Sequence, residues 1–350
     1  MYSEADLQSA VSAGAISHDA AEALRAHSAG VRSAPLADEE QFRLITGFND
    51  IFVTIAAVLL LAAAAGIGAA IAPGMAGVLV AGAAWLLAEF FTAKRRMALP
   101  SIVLLLAFVG GVAAVPINVL AETEPNLSEQ VSALIGAGIG LLAAGAAWVH
   151  WRRFMVPITV AAGAAGLAAT SIALVLSVAM QGRPDHDPEP VLLPLIFICG
   201  LAIFAVAMRW DMSDLKRETR RSDVAFWLHL LAAPMIAHPL FNWLGVTEGE
   251  NIGAVSALGV LAIYILMGMI ALAVDRRALL VSALAYVLLA MTWLFRQFGV
   301  VELNVAVTGL VIGSALLALS AFWSPIRTAL VLRLPSEIRA RLPQGMLATA

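Results

Sequence analysis

The sequence contains few cysteines, few charged residues and no catalytic signature, and each shortage excludes a class of protein. Cys199 is the single cysteine among 350 residues, so no internal disulfide can form. Charged residues make up 13% of the chain, against roughly 25% in a typical soluble domain. The chain has no Gly-rich phosphate loop, nucleophile elbow, His-Glu-x-x-His or paired cysteine motif. We therefore expect a protein that is not an enzyme and that binds neither a cofactor nor a metal ion.

The sequence also lacks an extended basic patch and a secretory signal. Basic residues form only short clusters between apolar segments, so the sequence predicts no nucleic-acid partner, and the net charge of −3 says nothing on that point. The first 48 residues are polar and acidic and lack the basic start and apolar core of a secretory signal. We expect no signal peptide.

Long apolar segments are what the sequence has in abundance. Hydrophobic residues make up 61% of the chain, and its mean hydropathy is +0.90. Ten apolar segments are each long enough to cross a hydrocarbon core of about 30 Å at about 1.5 Å per residue. They span residues 51–72, 74–92, 101–121, 131–149, 155–179, 191–208, 224–245, 253–274, 278–295 and 303–323. Since lipid cannot satisfy exposed backbone groups, the sequence predicts an all-α polytopic membrane protein with a ten-helix transmembrane domain at residues 49–323.

The basic residues alternate between the two sides of these segments. Nineteen of the 21 Lys and Arg residues fall on one side, and Arg183 and Arg296 fall on the other. The positive-inside rule makes the side with nineteen cytoplasmic. Both termini then lie in the cytoplasm, and the tail at residues 324–350 is predicted to be an amphipathic segment along the inner leaflet.

Residues 1–48 form a small polar region before the first segment. Apolar residues recur there with helical spacing and predict two short helices, near residues 4–13 and 17–27, broken at Gly14. Ser17 is a suitable N-cap for the second helix. Because this region is too short to bury a core, we expect it to bind a cytosolic protein partner, to self-associate or to pack on the membrane domain.

The stretch at residues 7–24 reads Leu-Gln-Ser-Ala-Val-Ser-Ala-Gly-Ala-Ile-Ser-His-Asp-Ala-Ala-Glu-Ala-Leu. It resembles the cytosolic helix pair that opens a group of uncharacterised bacterial polytopic membrane proteins, which also have Arg-Arg inner turns. The resemblance implies a multi-pass protein of the bacterial inner membrane. It implies no activity and no functional residues.

Basic pairs recur immediately before apolar segments. They are Arg95-Arg96, Arg152-Arg153 and Arg276-Arg277, with Arg220-Arg221 as a fourth instance. Either the chain contains an internal repeat of helix hairpins, or any short inner connection needs such a pair for topology alone. Glycines in the fourth and fifth segments, among them Gly140 and Gly166, predict close helix packing.

The seventh segment contains the most unusual set of polar residues and prolines. Polar side chains at membrane depth are costly and usually face protein or a cavity. Pro234 is expected to kink or break the helix, as in many transport sites. His229 and His238 are nine residues apart, about 13.5 Å along an ideal helix and about 180° around it, so one metal ion is not expected to bind both. Hydrogen bonds to neighbouring helices would explain each histidine equally well.

Three functions remain open from the sequence. The first is a passive or proton-linked transporter, or a small-molecule-binding membrane protein, acting on a small molecule or ion. Its predicted substrate-binding residues are His229, Pro234, His238, Asn242 and Glu89. The second is a non-catalytic membrane scaffold or envelope-regulation protein that holds a cytosolic partner through residues 1–48 and the tail. The third is a membrane enzyme that modifies lipid, for which only the connection at residues 208–222 offers room.

Overall fold

A computed structural model describes residues 9–24, 48–123, 127–179, 181, 187–215, 217, 219–246, 254–277, 279–284, 286–288 and 304–343. Throughout these ranges the chain forms helices and short connections, with no strand, which confirms the all-α class. Contacts divide the chain into two units, Met1–Phe42 and Arg43–Ala350.

The first unit begins with two short helical stretches, at residues 9–12 and 18–24. Gly14 lies between them with φ of +71°, a left-handed conformation that glycine adopts without steric cost. The backbone N–H of Ala20 donates to Ser17 Oγ at 3.1 Å. The predicted helix break at Gly14 and N-cap at Ser17 are therefore confirmed, whereas the remaining residues of both predicted helices lie outside the described residues.

The second unit is a series of helices. In chain order they are α1 (Phe48–Ile71), α2 (Met75–Phe91), α3 (Ala98–Thr123), α4 (Glu129–Phe154), α5 (Ile158–Ala179), α6 (Glu189–Met212), α7 (Arg220–Trp243), α8 (Ala254–Val274), α9 (Leu279–Leu288), α10 (Asn304–Ala321), α11 (Trp323–Leu332) and α12 (Ser336–Arg339). Nine of the ten predicted segments overlap α1 to α8 and α10, and the described part of the ninth, at residues 279–284 and 286–288, is helical as α9. Residues 289–295 of the ninth predicted segment lie outside the described residues.

Several helices extend beyond the apolar segments that predicted them. The fourth segment was predicted to end at residue 149, but α4 continues through Arg152 and Arg153 in its last turn. Cations are favourable at a helix C-terminus, because the backbone carbonyls there carry partial negative charge. The basic pair therefore belongs to the helix end and not to the turn that follows it.

The number of crossings visible in the described residues is smaller than ten. Six helices, α1, α3, α4, α5, α6 and α7, are long and apolar enough to span a membrane. Part of α10 and the whole of α11 make a seventh span if this pair, bent by 71°, crosses as one unit. The apolar helices α2, α9 and the stretch Leu258–Val274 of α8 are shorter than 18 residues.

Close backbone contact at glycine joins neighbouring helices. A Cβ atom built on Gly140 of α4 would lie 2.9 Å from the carbonyl oxygen of Gly166 in α5. One built on Gly111 of α3 would lie 2.9 Å from the carbonyl oxygen of Gly77 in α2. A larger residue at these positions would push the helices apart, so the packing role predicted for Gly140 and Gly166 is confirmed.

Candidate functional site

Helix α7 is the most buried of the six candidate spans. In its most apolar window 56% of the residues are buried, against 17–28% in the other five. The helix runs without interruption past Pro234 and Pro239, so the expected break at Pro234 is absent. Tight packing accompanies this continuity, since a Cβ on Gly200 of α6 would lie 2.9 Å from Cβ of Met235. Neighbouring helices can hold a proline inside a membrane helix in this way.

A buried carboxylate between α6, α7 and the end of α8 is the centre of the candidate site. Asp211 Oδ2 lies 2.9 Å from His229 Nε2. The Arg276 guanidinium donates from Nη2 to Asp211 Oδ1 at 2.6 Å and from Nε to Oδ2 at 3.4 Å. Arg276 Nη2 also lies 3.0 Å from the carbonyl oxygen of Ser222 and 3.2 Å from its hydroxyl. Two side chains that can carry positive charge thus share one carboxylate.

This cluster, defined by Asp211, His229 and Arg276, is closed to solvent. The exposed fraction is 0% for Asp211 and His229 and 3% for Arg276. Because Arg276 is always protonated and pairs with Asp211, the carboxylate is ionised, and His229 donates to it from Nε2 as the neutral tautomer. His229 Nδ1 then presents a lone pair that has no hydrogen-bond partner within the described residues. The cluster is therefore electrically neutral with one open proton-accepting atom.

A second ionic group lies beside this cluster, around Asp275 in the connection after α8. Arg217 Nη1 donates to Asp275 Oδ2 at 2.9 Å, and the Trp323 indole N–H donates to Oδ1 at 2.8 Å. Arg327 Nε lies 3.6 Å from the same Oδ1 atom. Burial, with a further contribution from the Arg276 cation, holds the pKa of Arg217 below its usual value. The residue pair Asp275-Arg276 thus links the cluster to the C-terminal helix α11.

The other predicted residues of α7 contact different neighbours. His238 Nδ1 lies 2.8 Å from the Tyr286 hydroxyl of α9. The Asn242 side-chain amide donates to Glu189 Oε1 of α6 at 3.1 Å. His229 and His238 each bind their own partner, in line with the expectation that they do not share a metal ion.

Glu89 does not belong to this region. Its carboxylate accepts two hydrogen bonds from Arg153 of α4, at 2.8 Å to Nε and 2.5 Å to Nη2. Arg153 is about half exposed. Glu89 is thus paired with an arginine from another helix.

An additional buried histidine, His150, lies in an aromatic cage. Its ring centroid is 4.6 Å from that of Phe154, 5.9 Å from Phe108 and 6.1 Å from Trp85. Nδ1 lies 3.4 Å from the Thr159 hydroxyl, and the residue is 0% exposed. The ring therefore points into the protein.

An open groove of about 460 Å³ lies between α3 and α4 and is lined mainly by apolar side chains. None of the predicted substrate-binding residues lines that groove. Among the described residues, no group of three or more His, Cys, Asp and Glu side chains could hold a metal ion.

Sequence reasoning missed the most important partners of α7. Asp211 was absent from the predicted site, and Arg276 was interpreted as part of an internal repeat or of the topology signal. Tyr286 lies in a largely apolar segment. An acidic residue at the end of an apolar segment, as Asp211 is, is the one sequence signal that would have pointed to the cluster.

The chain matches no protein-family model, no curated protein and no solved structure. The functional argument therefore rests on the geometry of the site.

Proposed function

We propose that the protein is a proton-linked transporter of a small molecule or ion, with Asp211, His229 and Arg276 as its protonation site. The observation that carries this proposal is a fully buried imidazole that shares its carboxylate partner with a guanidinium. His229 lies within a candidate membrane span, where ionisable groups are rare and mark proton relays and substrate pathways.

The energetic cost of the cluster supports a functional role. Taking several charges out of water costs more than well-packed apolar residues of similar volume, which often stabilise a protein as well or better. A cluster kept only for stability would gain little from Arg276 and Asp211. Proton exchange, in contrast, requires a side chain that can gain and lose a proton, and an imidazole is such a group.

The geometry suggests how a proton could change the structure. A proton bound at His229 Nδ1 makes the imidazole a cation, so His229 and Arg276 then compete for Asp211. The charge of the cluster rises from zero to one positive unit in a medium of low polarity, which is unfavourable. Release of Arg276 relieves that repulsion, and the connection after α8 moves with it. Charged groups near this path among the described residues include Asp214, Arg217, the half-buried Asp223, Asp275 and Arg327.

The proposed substrate region lies along the part of α7 that is C-terminal to His229. His238 with Tyr286 and Asn242 with Glu189 supply hydrogen-bonding groups on that part of the helix. Pro234 lies between the two regions, where the missing backbone hydrogen bond lowers the cost of bending. The pair of Glu89 and Arg153 acts here as a surface ion pair.

The membrane arrangement completes the proposal. Ten crossings in the bacterial inner membrane, with both termini in the cytoplasm, agree with the alternation of nineteen basic residues. In that arrangement the 17-residue helix α2 crosses with the help of interfacial residues or a thinner bilayer. The cluster then lies near the cytoplasmic ends of α6 and α8.

Hydrogen–deuterium exchange in nanodiscs tests the protonation step without a known substrate. In the wild type, protection of the connection after α8 is expected to fall between pH 8 and pH 5.5, after correction for intrinsic exchange. His229→Gln can still donate to Asp211 but cannot take up a proton, so its protection is expected to be independent of pH. His150→Gln is the matched control, because it removes an equally buried histidine and should behave as the wild type does.

Proton entry into proteoliposomes tests the transport step. Liposomes that contain a pH-sensitive dye receive an inward proton gradient, with and without a small-molecule extract of bacterial cells. The wild type is expected to admit protons faster with the extract, and His229→Gln is expected to lose that difference. Proton entry equal to that of protein-free liposomes under both conditions contradicts transport.

The scaffold function is a second candidate because residues Met1–Phe42 form a unit of their own. A separate cytosolic unit is what partner binding needs and what proton-linked transport does not. Deletion of residues 1–42 distinguishes the two functions. A scaffold loses its partner in pull-down experiments, whereas a transporter keeps its proton-linked flux.

A further inference from the structure

One face of the C-terminal helix α11 is fixed to the rest of the second unit. Trp323, Arg327 and Val331 recur every four residues and are at most 4% exposed. The Trp323 indole N–H binds Asp275, and Arg327 Nη2 donates to the carbonyl oxygen of Pro343 at 2.6 Å. These contacts set the rotation of α11 about its axis, so they also determine which residues point away from the protein.

The opposite face of α11 is apolar and exposed. Phe322 just before the helix, Ile326 and Leu332 are 58%, 39% and 59% exposed, and Ala329 between them is exposed as well. Their spacing of three and four residues places them along one side of the helix. A contiguous apolar face of this kind is unfavourable in water and is typical of a helix that lies in a membrane interface.

The direction of α11 agrees with an interfacial position. It makes an angle of 71° with the preceding part of α10, so α11 lies close to the membrane plane if α10 crosses the membrane upright. Its first turn contacts the connection after α8, where the Arg277 guanidinium lies 4.8 Å from the Trp323 ring centroid. The positive-inside rule places that connection on the cytoplasmic side.

Charge selects the lipid that this surface would bind. Arg333, Arg339 and Arg341 are exposed, and Glu337 is the single acidic residue between positions 323 and 343. Basic residues beside an interfacial helix are attracted to anionic head groups of the inner leaflet. We propose that α11, α12 and these three arginines form a binding surface for anionic phospholipid, with the apolar face of α11 in the acyl region.

Lipid quenching of a fluorescent label tests this proposal on the full chain. Ile326→Cys in a Cys199→Ser background carries a bimane label, and the protein is placed in nanodiscs of phosphatidylcholine alone or with 30% phosphatidylglycerol. Brominated acyl chains are expected to quench the label, and aqueous iodide to quench it weakly, when phosphatidylglycerol is present. Each Arg→Gln change is expected to lower the population ratio of membrane-bound to unbound C-terminal segment about fivefold. This value follows from an attraction of about one kcal/mol between each basic residue and the anionic surface.

Two variants separate charge from packing. Arg333→Gln combined with Arg339→Gln and Arg341→Gln should restore iodide quenching, whereas Glu337→Gln should leave it low. All four side chains are exposed, so the melting temperature should stay at the wild-type value in both variants. Strong iodide quenching of the unsubstituted segment in anionic nanodiscs overturns the proposal. So does equal lipid quenching in both bilayers, or protection that appears only at high protein density and hence comes from a second copy.

Discussion

Replacement of Arg276 by methionine removes the buried cation of the proposed protonation site. Arg276→Met keeps most of the side-chain length but removes the charge, so Asp211 stays buried with His229 as its one remaining partner in the cluster. Removal of one member of a buried ion pair costs about 3–5 kcal/mol of unfolding free energy. Asp211→Asn added to Arg276→Met removes the unpaired charge, and we expect the double variant to lose about 0.5–3 kcal/mol less than the sum of the single losses.

The loss in Arg276→Met should depend on pH. When His229 binds a proton, it supplies the missing cation beside Asp211 and recovers about 1.5–3 kcal/mol, the value of a hydrogen bond between charged groups. The recovered stability is present at low pH and is lost as the pH rises and the imidazole releases its proton. The wild type should show the opposite trend, because a protonated His229 there lies beside Arg276.

Urea unfolding in mild detergent at pH 5 and pH 8 measures both effects. His229→Gln combined with Arg276→Met should remove the pH dependence of the single variant. Arg153→Met is a control with an arginine in a half-exposed ion pair, and its loss should stay below about 1 kcal/mol at both pH values. Equal losses in Arg276→Met at pH 5 and pH 8 would refute the idea that His229 and Arg276 compete for Asp211.

Three further substitutions test the packing and the hydrogen bonds. Gly140→Ala should destabilise the protein by about 1–3 kcal/mol through steric overlap with α5, and Gly138→Ala, with open space around it, should not, as measured by urea unfolding. His150→Phe should keep the aromatic packing and change the unfolding free energy by about 1 kcal/mol or less, whereas a loss above 3 kcal/mol would show that its polar contact matters. Trp323→Phe removes the bond to Asp275 and should cost about 1.5–3 kcal/mol, and an unchanged urea midpoint would contradict that contact.

The sequence predicted where the helices lie more accurately than where they end. Apolarity marks the part of a helix that can reside in lipid, whereas the backbone hydrogen bonds continue into the polar interface. For this reason α4 includes Arg152 and Arg153, and α7 begins at Arg220 although the apolar segment begins at residue 224. The apolar helix α2, with 17 residues, is also shorter than the six candidate spans, which have 22 to 26 residues.

The candidate site was predicted from one helix and was therefore found in part. His229, His238 and Asn242 are polar residues in an apolar segment, a signal that a single sequence displays. Their partners come from residues 18, 48 and 53 positions away, and no local pattern indicates which distant residues meet. Asp211 and Arg276 in addition lie at or just after helix ends, where charged residues are common, so Asp211 was not recognised as the one sequence signal for the cluster.

The connections with basic residues illustrate why a count of charges cannot separate topology from function. Four non-glycine residues among the described positions have left-handed backbone conformations, and each lies in a connection predicted to be cytoplasmic: Arg96, Met155, Arg217 and Asp275. Such residues end a helix sharply, so the four connections share a local geometry as well as their charge. In the first two, the arginines remain exposed, and the residue that follows the left-handed position is the buried Met97 or Val156. After α8, the same position is occupied by Arg276, which is the buried partner of Asp211. The positive-inside rule counts all of these arginines alike, and it does not reveal that Arg276 occupies a position that is buried.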